Sequence, residues 1–185
     1  MIKAIWVLRA FFYGFFIFRS VGFLSYLGRP IYVAGGGNIT FGSRVRIFPG
    51  ARIESLGGGK IIFNNNVSIG QGLHLVASRQ VNIGKDCLFA ENIFISDTEH
   101  SFDVSEIPYQ SQRHKVKEVY IGDNCFLGYG AVILSGTKLG KNCVVGAYSV
   151  VKGEYPENVM IVGSPGRVIK KYNSTAKQWE RVNEK

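Results

Sequence analysis

An aliphatic residue occupies every sixth position from residue 121 to residue 151, without interruption. A small residue follows it four positions later in each complete hexad. An α-helix repeats its apolar positions every 3.6 residues, so a helix does not explain a period of six. A short strand followed by a turn does, because alternate residues of a strand share one face. The pattern therefore predicts repeated short strands whose first and fifth hexad positions point inward. The first positions are Ile121, Leu127, Ile133, Leu139, Val145 and Val151, and the fifth are Cys125, Ala131, Thr137, Cys143 and Ser149.

The same frame recurs in three earlier blocks of 18 residues, at 41–58, 63–80 and 83–100. It shifts by four residues after the first block and by two after the second, and it breaks between 101 and 120. Repeats of this length predict a solenoid in which each coil contacts its neighbours. We expect residues 101–120 to form a loop outside the coils, and a loop of that length in a compact domain is either functional or disordered.

Consecutive hexads of this composition, with six aliphatic residues in register, resemble those of the hexapeptide-repeat acyltransferases. The resemblance covers about residues 31–170 and implies a left-handed parallel β-helix with three hexads in each triangular coil. The predicted fold is thus an all-β solenoid over residues 31–170, with the loop 101–120 extruded from it. An N-terminal helical segment is expected in residues 1–30, and a short C-terminal helix in residues 171–185, capped by Asn173 or Ser174.

Charge and cysteine content restrict the partners and the compartment. The formal net charge of +9 favours anionic partners such as phosphates, nucleic acid or an anionic membrane face. The chain lacks the aromatic-plus-basic platform of nucleic-acid binders, so no nucleic acid is expected. Cys87, Cys125 and Cys143 all fall at the small, inward position of a hexad. An odd number of buried cysteines predicts free thiols in a reducing cytoplasm.

The N-terminal segment allows two interpretations. Arg9 and Arg19 bracket a nine-residue apolar run, which is too short to span a membrane. A helix there would cover the open end of the first coil, as the terminal elements of solenoids do. Alternatively, residues 1–27 would make a peripheral contact with the inner membrane face, because the segment carries more aromatic surface than a cap needs. The aromatic residues are Trp6, Phe11, Phe12, Phe15, Phe16 and Phe18.

One histidine falls in the segment ISDTEHSFD, residues 95–103, which resembles the family's sequence around its catalytic histidine. The resemblance implies that His100 is the general base that removes a hydroxyl proton, a role suited to imidazole. It also implies that Asn92 and Asp103 bind the acceptor. Polysaccharide-modifying members often read Asp-His-x-His here, whereas this chain reads Asp-Thr-Glu-His and lacks the first histidine.

Acidic and basic residues surround this histidine. We expect Asp97 to bind the acceptor, or else Asp97 or Glu99 to orient the imidazole, although a backbone carbonyl would serve equally well. Residues 113–117 form a basic run that is either solvated or faces the substrate. In the second case Arg113 binds the acceptor. His114, in the same run, is the second candidate for the base.

The outward positions of the last hexads are apolar, and an apolar stripe of this size implies a covering surface. A closed cyclic oligomer would supply one, and the family forms trimers with active sites between subunits. We therefore expect a homotrimer. The stripe consists of Phe126, Val132, Leu134, Val144 and Val150.

The resemblance also implies where coenzyme A binds. Phe126 stands where the family usually has Trp, and the backbone N–H of Tyr129 stands where the family places the donor to the thioester oxyanion. Glycines would let the pantetheine arm approach the backbone, and cations would meet the phosphates. The implied cofactor residues are Phe126, Gly128, Gly146, Ala147, Lys152, Arg167 and Lys170, and no metal is expected.

The resemblance, with these residues in their matching positions, implies a cytoplasmic acetyl-CoA-dependent O-acetyltransferase that acts on a sugar or polysaccharide acceptor in surface polysaccharide synthesis. The alternative acceptor is the amine of an amino sugar or nucleotide sugar. A metal-dependent hydratase on the same fold would need three histidine ligands, and a non-catalytic β-helix scaffold would not bind acetyl-CoA.

Overall fold

The computed structural model describes residues 2–182, apart from the side chain of Ile2, and begins with helix α1 (Ile2–Phe16). Short strands then follow one another around seven coils. The first four coils contain β1 (Ser20–Val21), β2 (Tyr26–Leu27), β3 (Tyr32–Ala34), β4 (Ile39–Phe41), β5 (Arg46–Ile47), β6 (Arg52–Ser55), β7 (Lys60–Phe63), β8 (Ser68–Ile69), β9 (His74–Ala77), β10 (Gln80–Ile83), β11 (Leu88–Phe89) and β12 (Phe94–Ser96).

A hairpin of β13 (Thr98–His100) and β14 (His114–Val116) leaves the solenoid after the fourth coil. The last three coils contain β15 (Val119–Ile121), β16 (Phe126–Leu127), β17 (Val132–Ile133), β18 (Lys138–Leu139), β19 (Val144–Val145), β20 (Val150–Val151), β21 (Glu154–Tyr155) and β22 (Val159–Val162). They are followed by β23 (Arg167–Asn173) and β24 (Gln178–Arg181), and two 3-10 turns lie at Gly36–Asn38 and Tyr109–Ser111.

Strands at equivalent positions of successive coils pair in parallel and form the three sides of the solenoid. Sheet A contains β1, β4, β7, β10, β15, β18 and β21; sheet B contains β2, β5, β8, β11, β16, β19 and β22; and sheet C contains β3, β6, β9, β12, β17 and β20. The six aliphatic and five small positions of hexads 121–151 are all at most 1% exposed. The predicted β-helix and its inward positions are therefore confirmed.

Three corners join the sheets: the first leads from A to B, the second from B to C, and the third from C back to A. The first corner holds one residue of positive φ in each coil, a conformation that Asn and Asp accept more readily than most residues. In the last coils these residues form an amide ladder: Asn124 Nδ2 donates to Asn142 Oδ1, and Asn142 Nδ2 donates to Asn158 Oδ1, both at 2.8 Å. The ladder holds successive coils in one register.

Buried thiols lie just beyond this corner. Cys87, Cys125 and Cys143 occupy equivalent positions in the fourth, fifth and sixth coils, and all three are free. Their burial and free state agree with the expectation from their hexad positions.

Helix α1 packs against β1 and β2, at the N-terminal end of the solenoid. Ala10 and Phe18 join the hydrophobic core, and Trp6 packs its ring against Tyr26 and Phe48, with centroids 5.6 Å apart in each case. The helix therefore lies on the first coil as a cap would. Within the described residues, no helix combines the length and apolarity needed to cross a bilayer.

The predicted C-terminal helix is wrong within the described residues, because β23 and β24 form an antiparallel hairpin that extends sheet B from β22. Asn173 does not cap a helix; its Oδ1 accepts hydrogen bonds from the backbone N–H groups of Thr175 and Ala176 and closes the hairpin turn. Tyr172 and Trp179 face each other across the two strands, with ring centroids 5.4 Å apart. This cross-strand aromatic contact favours the hairpin. The last three residues of the predicted helix lie outside the described part of the chain.

Candidate active site

The break in the hexad frame corresponds to the hairpin of β13 and β14, which projects from the third corner. His100 on β13 lies directly opposite His114 on β14, and their ring centroids are 4.3 Å apart. Both residues are exposed. The main candidate for the base and the second candidate are thus neighbours on a single surface. Among the described residues, neither ring makes a hydrogen bond.

The tip of the hairpin is closed by one amide side chain. Gln112 Oε1 accepts a hydrogen bond from the backbone N–H of Asp103, and its Nε2 donates to the carbonyls of Asp103 and Ile107, both at 2.9 Å. Asp103 and Arg113, both predicted to bind the acceptor, are exposed on this tip. Their side chains lie on the same projection as His100, and a ligand at the hairpin would have access to them.

Asp97 is not available to a substrate, so its assignment to acceptor binding is wrong. The residue is fully buried at the third corner. Its carboxylate accepts hydrogen bonds from the backbone N–H groups of Ser78, Arg79 and Gln80 at 2.7–2.8 Å, and from the Thr98 hydroxyl at 2.8 Å. These donors belong to the preceding coil and to the next residue. Asp97 therefore holds the corner from which the hairpin departs.

Glu99 does not orient the imidazole either. Its carboxylate forms an ion pair with Lys152, with the Glu99 Oε1 to Lys152 Nζ distance at 2.7 Å. Lys152 follows β20 in the sixth coil, so the pair joins the base of the hairpin to the third corner two coils further on. We call Glu99, His100, His114 and Lys152 the hairpin cluster.

A second group of side chains lies at the second corner. Asn92 Nδ2 donates a hydrogen bond to the Tyr129 hydroxyl at 2.7 Å, and the rings of Tyr129 and Tyr148 are 5.3 Å apart. The backbone N–H of Tyr129 donates no hydrogen bond within residues 2–182. We call Asn92, Tyr129 and Tyr148 the second-corner cluster. It contains one predicted acceptor-binding side chain and the predicted oxyanion donor.

Two predicted cofactor residues, Phe126 and Lys170, lie at the ends of one line of residues on sheet B. Strand pairing aligns Phe126 with Val144, Val144 with Met160, and Met160 with Lys170. Arg167 pairs with Val162 at the end of the same strand. We call the line from Phe126 to Lys170 the outer column. Strands are about 4.8 Å apart, so the column is about 14 Å long.

Two glycines beside the outer column have a structural role. A Cβ at Gly128 would lie 2.7 Å from the Ala147 nitrogen, and a Cβ at Gly146 would lie 2.8 Å from a methyl carbon of Val162. Atoms of the next coil fill both spaces, so the lack of a Cβ at these two glycines allows the coils to stack. Ala147 is exposed beside them.

The two clusters lie at opposite ends of sheet C. The second corner precedes β12 and β17, and the third corner follows them. An extended strand rises about 3.3 Å per residue, so the three residues of β12 alone separate the clusters by about 10 Å. His100 and the Tyr129 N–H of one chain therefore do not converge on one small reacting group.

Sequence reasoning missed Tyr148 and the contact between the two histidines. Tyr148 is the fifth member of the positive-φ positions at the second corner, after Gly50, Gly72, Asn92 and Gly130. The sequence could have drawn attention to this residue, because most coils have glycine at the equivalent position and large residues rarely adopt positive φ. The pairing of His100 with His114 depends on the hairpin register and leaves no comparable signal.

The remaining histidine, His74, lies apart from the hairpin. Its ring packs edge-on against Phe94, and its Nε2 is 3.7 Å from Glu54 Oε1. A hydrogen bond from Arg52 lowers the pKa of Glu54 below its ordinary value. No group of three or more His, Cys, Asp or Glu side chains suited to a metal ion occurs in the described chain.

Comparison with known proteins gives consistent matches. The family described as "Bacterial transferase hexapeptide (six repeats)" matches residues 118–153. A relative from Escherichia coli K12, "Putative lipopolysaccharide biosynthesis O-acetyl transferase WbbJ", is 38% identical over 160 residues, which cover 83% of this chain and 82% of WbbJ. A solved structure of galactoside acetyltransferase in complex with coenzyme A has a TM-score of 0.62 at 27% identity, covering 90% of this chain and 74% of the other.

A variant of AntD, an N-acyltransferase from Bacillus cereus in complex with dTDP and coenzyme A, has a TM-score of 0.76 at 22% identity, covering 86% and 87% of the two chains. At that identity the likeness concerns the fold. The hexad frame, the stacked coils and the extensive match to WbbJ agree with one another. The chain belongs to the hexapeptide-repeat transferase family.

Proposed function

We propose that this protein transfers the acetyl group of acetyl-CoA to a hydroxyl of a sugar acceptor during the synthesis of a surface polysaccharide. The observation that carries the proposal is the exposed His100 on the inserted hairpin, in a chain 38% identical to a relative named as an O-acetyl transferase of lipopolysaccharide biosynthesis. Three free buried thiols support placement in a reducing cytoplasm.

The proposed reaction is a direct transfer. His100 takes the proton of the acceptor hydroxyl as its oxygen attacks the thioester carbonyl. The Tyr129 N–H donates a hydrogen bond to the oxyanion that forms. Collapse of the intermediate breaks the carbon–sulfur bond, and the proton held by His100 passes to the departing thiolate. No covalent enzyme intermediate is required.

The outer column gives acetyl-CoA a path along sheet B. The pantetheine arm lies against Phe126 and beside Gly128, Gly146 and Ala147, so that the thioester reaches the second corner. The phosphates lie toward Lys170 and Arg167, which can donate charge-assisted hydrogen bonds. The column length of about 14 Å suits an extended arm with a thioester at one end and phosphates at the other.

The separation of the two clusters requires a second copy of the chain, and we propose a homotrimer. A neighbour related by rotation would bring its second-corner cluster against the hairpin cluster of this copy. The same contact would bury the members of the apolar stripe on sheet C, Val132 and Val150, whereas Phe126 and Val144 lie on sheet B in the outer column. Lys152, which lies in the hairpin cluster, would then face coenzyme bound along the neighbour's outer column.

The acceptor is proposed to lie between the two clusters. Asn92 of one copy would contact it from the second corner, and Asp103 and Arg113 of the next copy would contact it from the hairpin. Hydroxyl and amide groups at this position suit a sugar, which offers several donors and acceptors at once.

A thiol-release assay with acetyl-CoA and a panel of acceptors tests the proposal. The panel contains free sugars, nucleotide sugars, oligosaccharides and the corresponding amino sugars. We expect acceptor-dependent release of coenzyme A with hydroxyl acceptors. Release of coenzyme A with amino sugars alone would indicate N-acetylation instead of the proposed O-acetylation. A failure to bind acetyl-CoA would indicate a non-catalytic scaffold.

A further inference from the structure

The outward face of helix α1 is apolar, which is unusual for a helix on a protein surface. The inward face packs on the solenoid through Trp6, Ala10 and Tyr13. The opposite face carries six large apolar side chains that are between 53% and 75% exposed. A helix that is apolar on all sides is normally buried on all sides. The six residues, which we call the α1 face, are Ile5, Leu8, Phe11, Phe12, Phe15 and Phe16.

The first coil enlarges this apolar surface. Strands β1, β2 and β3 pair on one side only, so the first coil forms the N-terminal end of the solenoid together with α1. Phe23 and Leu24 at its first corner are 78% and 58% exposed, and Ile31, beyond its second corner, is 77% exposed. One end of the molecule therefore presents apolar side chains from both the helix and the coil that it covers.

The positive charge of the chain is concentrated at the same end. Residues 1–53 contain seven Lys or Arg and no Asp or Glu, whereas the other 132 residues contain 15 basic and 13 acidic residues. Arg9 donates to the carbonyl of Leu27, and Arg52 pairs with Glu54. Three of the others, Arg19, Arg29 and Arg44, are exposed around the first coils.

We propose that the end formed by the α1 face and the first coil docks on an anionic lipid bilayer. Apolar side chains flanked by cations match the hydrocarbon and headgroup regions of such a surface. The phenylalanines enter the acyl-chain region, and the arginines bind the anionic headgroups. Helix α1 contains 15 residues and is about 22 Å long. Because a helix of this length does not cross the bilayer, it lies along the interface. A second copy is a poorer occupant, because this end would meet its own positive charge.

Flotation with purified vesicles tests this docking. The full chain is mixed with vesicles of phosphatidylglycerol and phosphatidylcholine in equal amounts, or of phosphatidylcholine alone. We expect the parent to float with the mixed vesicles. The double variant Phe11→Glu/Phe15→Glu should lower the partition coefficient more than tenfold, because two exposed phenylalanines no longer enter the acyl region. Arg29→Gln should lower it about fivefold, and only with the anionic vesicles.

The matched control is Phe102→Glu/Val104→Glu. It adds the same charge by replacing two exposed apolar residues on the hairpin, which are 73% and 98% exposed. It should float as the parent does. Thermal melting and light scattering accompany each variant, and Phe11→Glu/Phe15→Glu should retain the melting temperature and mass of the parent.

Two results would overturn the proposal. If the α1-face variant floats as well as the parent, lipid does not contact this face. If that variant instead loses its oligomeric mass, the face is covered by another copy. Neither readout uses acetyl transfer, so a failure here is distinguishable from a failure of the proposed activity.

Discussion

The second and third corners of the solenoid acquire functional groups in different ways. At the second corner the backbone follows the same path in coil after coil, and only the side chains change, from Gly50 and Gly72 to Asn92 and Tyr148. At the third corner the path itself changes, because the hairpin of β13 and β14 enters after the fourth coil. A repeating fold can therefore gain chemistry by substitution on an unchanged frame or by insertion into it.

Under the proposed mechanism the two corners have different tasks. The unchanged second corner offers a backbone N–H in a fixed position, which suits stabilisation of developing charge. The inserted hairpin offers side chains that project from the coils, which suits proton transfer to an acceptor. Five predictions test this division and the residues around it, in order of decreasing effect.

The largest effect is expected at the hairpin. His100→Ala should lower kcat by about 10²–10⁴-fold with little change in the affinity for acetyl-CoA, the range for loss of a general base. His74→Ala is the matched control, because this histidine packs against Phe94 on sheet C and should leave kcat unchanged. If His100→Ala retains most of its turnover, the base lies elsewhere, and His114→Ala is the next variant to measure.

A proline at the second corner should have the next largest effect. Tyr129→Pro removes the N–H proposed to stabilise the oxyanion, and we expect kcat to fall by about 10²–10³-fold. The corner accepts proline, because Pro49 occupies the equivalent position: the carbonyls of Pro49 and Tyr129 each accept from the residue of positive φ in the next coil. Tyr129→Ala keeps the N–H and is the control. Equal loss in both variants would assign the effect to the side chain.

The same pair of variants examines whether the corners of two copies meet. Copies with His100→Ala and copies with Tyr129→Pro are co-expressed and purified as mixed oligomers. If each site takes its base and its donor from different copies, about a quarter of the sites should be intact after random mixing. Activity no higher than that of either variant alone would contradict the shared site.

A smaller effect is expected at the far end of the outer column. Arg167→Gln should raise the KM for acetyl-CoA and leave kcat nearly unchanged, because a phosphate contact is equally present in the ground and transition states. The loss should be at most about 1.5–3 kcal/mol, the range for a hydrogen bond to a charged group. It should shrink with dephospho-coenzyme A if the 3′-phosphate is the partner. A raised acceptor KM instead would reverse the proposed orientation of the cofactor.

The smallest effect is a loss of stability at the third corner. Asp97→Asn keeps the shape of the side chain but replaces one accepting oxygen by a donor, opposite the N–H groups of the preceding coil. We expect a loss of about 1–3 kcal/mol, and hence a melting temperature lower by several degrees, at about 2–4 °C per kcal/mol. The KM for the acceptor should not change, whereas a raised acceptor KM in the folded variant would restore Asp97 to the binding site.

Much of the fold follows from the sequence because the two inward residues of each hexad, the first and the fifth, determine both the strands and their stacking. The prediction failed where that constraint ends. The hexad frame ends at Val151, and Asn173 is as well suited to close a hairpin turn as to begin a helix. In the site, the hydrogen bonds that occupy the Asp97 carboxylate were not apparent, because its three backbone donors lie 17–19 residues earlier in the chain. Long-range contacts of this kind require the register of the coils.

The hairpin of β23 and β24 has a consequence for how far the stack of coils can grow. A parallel β-helix presents the same unpaired strand edges at both ends, and such edges are templates for fibres. Here helix α1 covers the edge at one end, and at the other end sheet B continues into strands of opposite direction. Lys170, Lys171 and Arg181 add like charge to those strands. The two ends are thus unlike each other, which disfavours end-to-end polymerisation by a continued parallel stack.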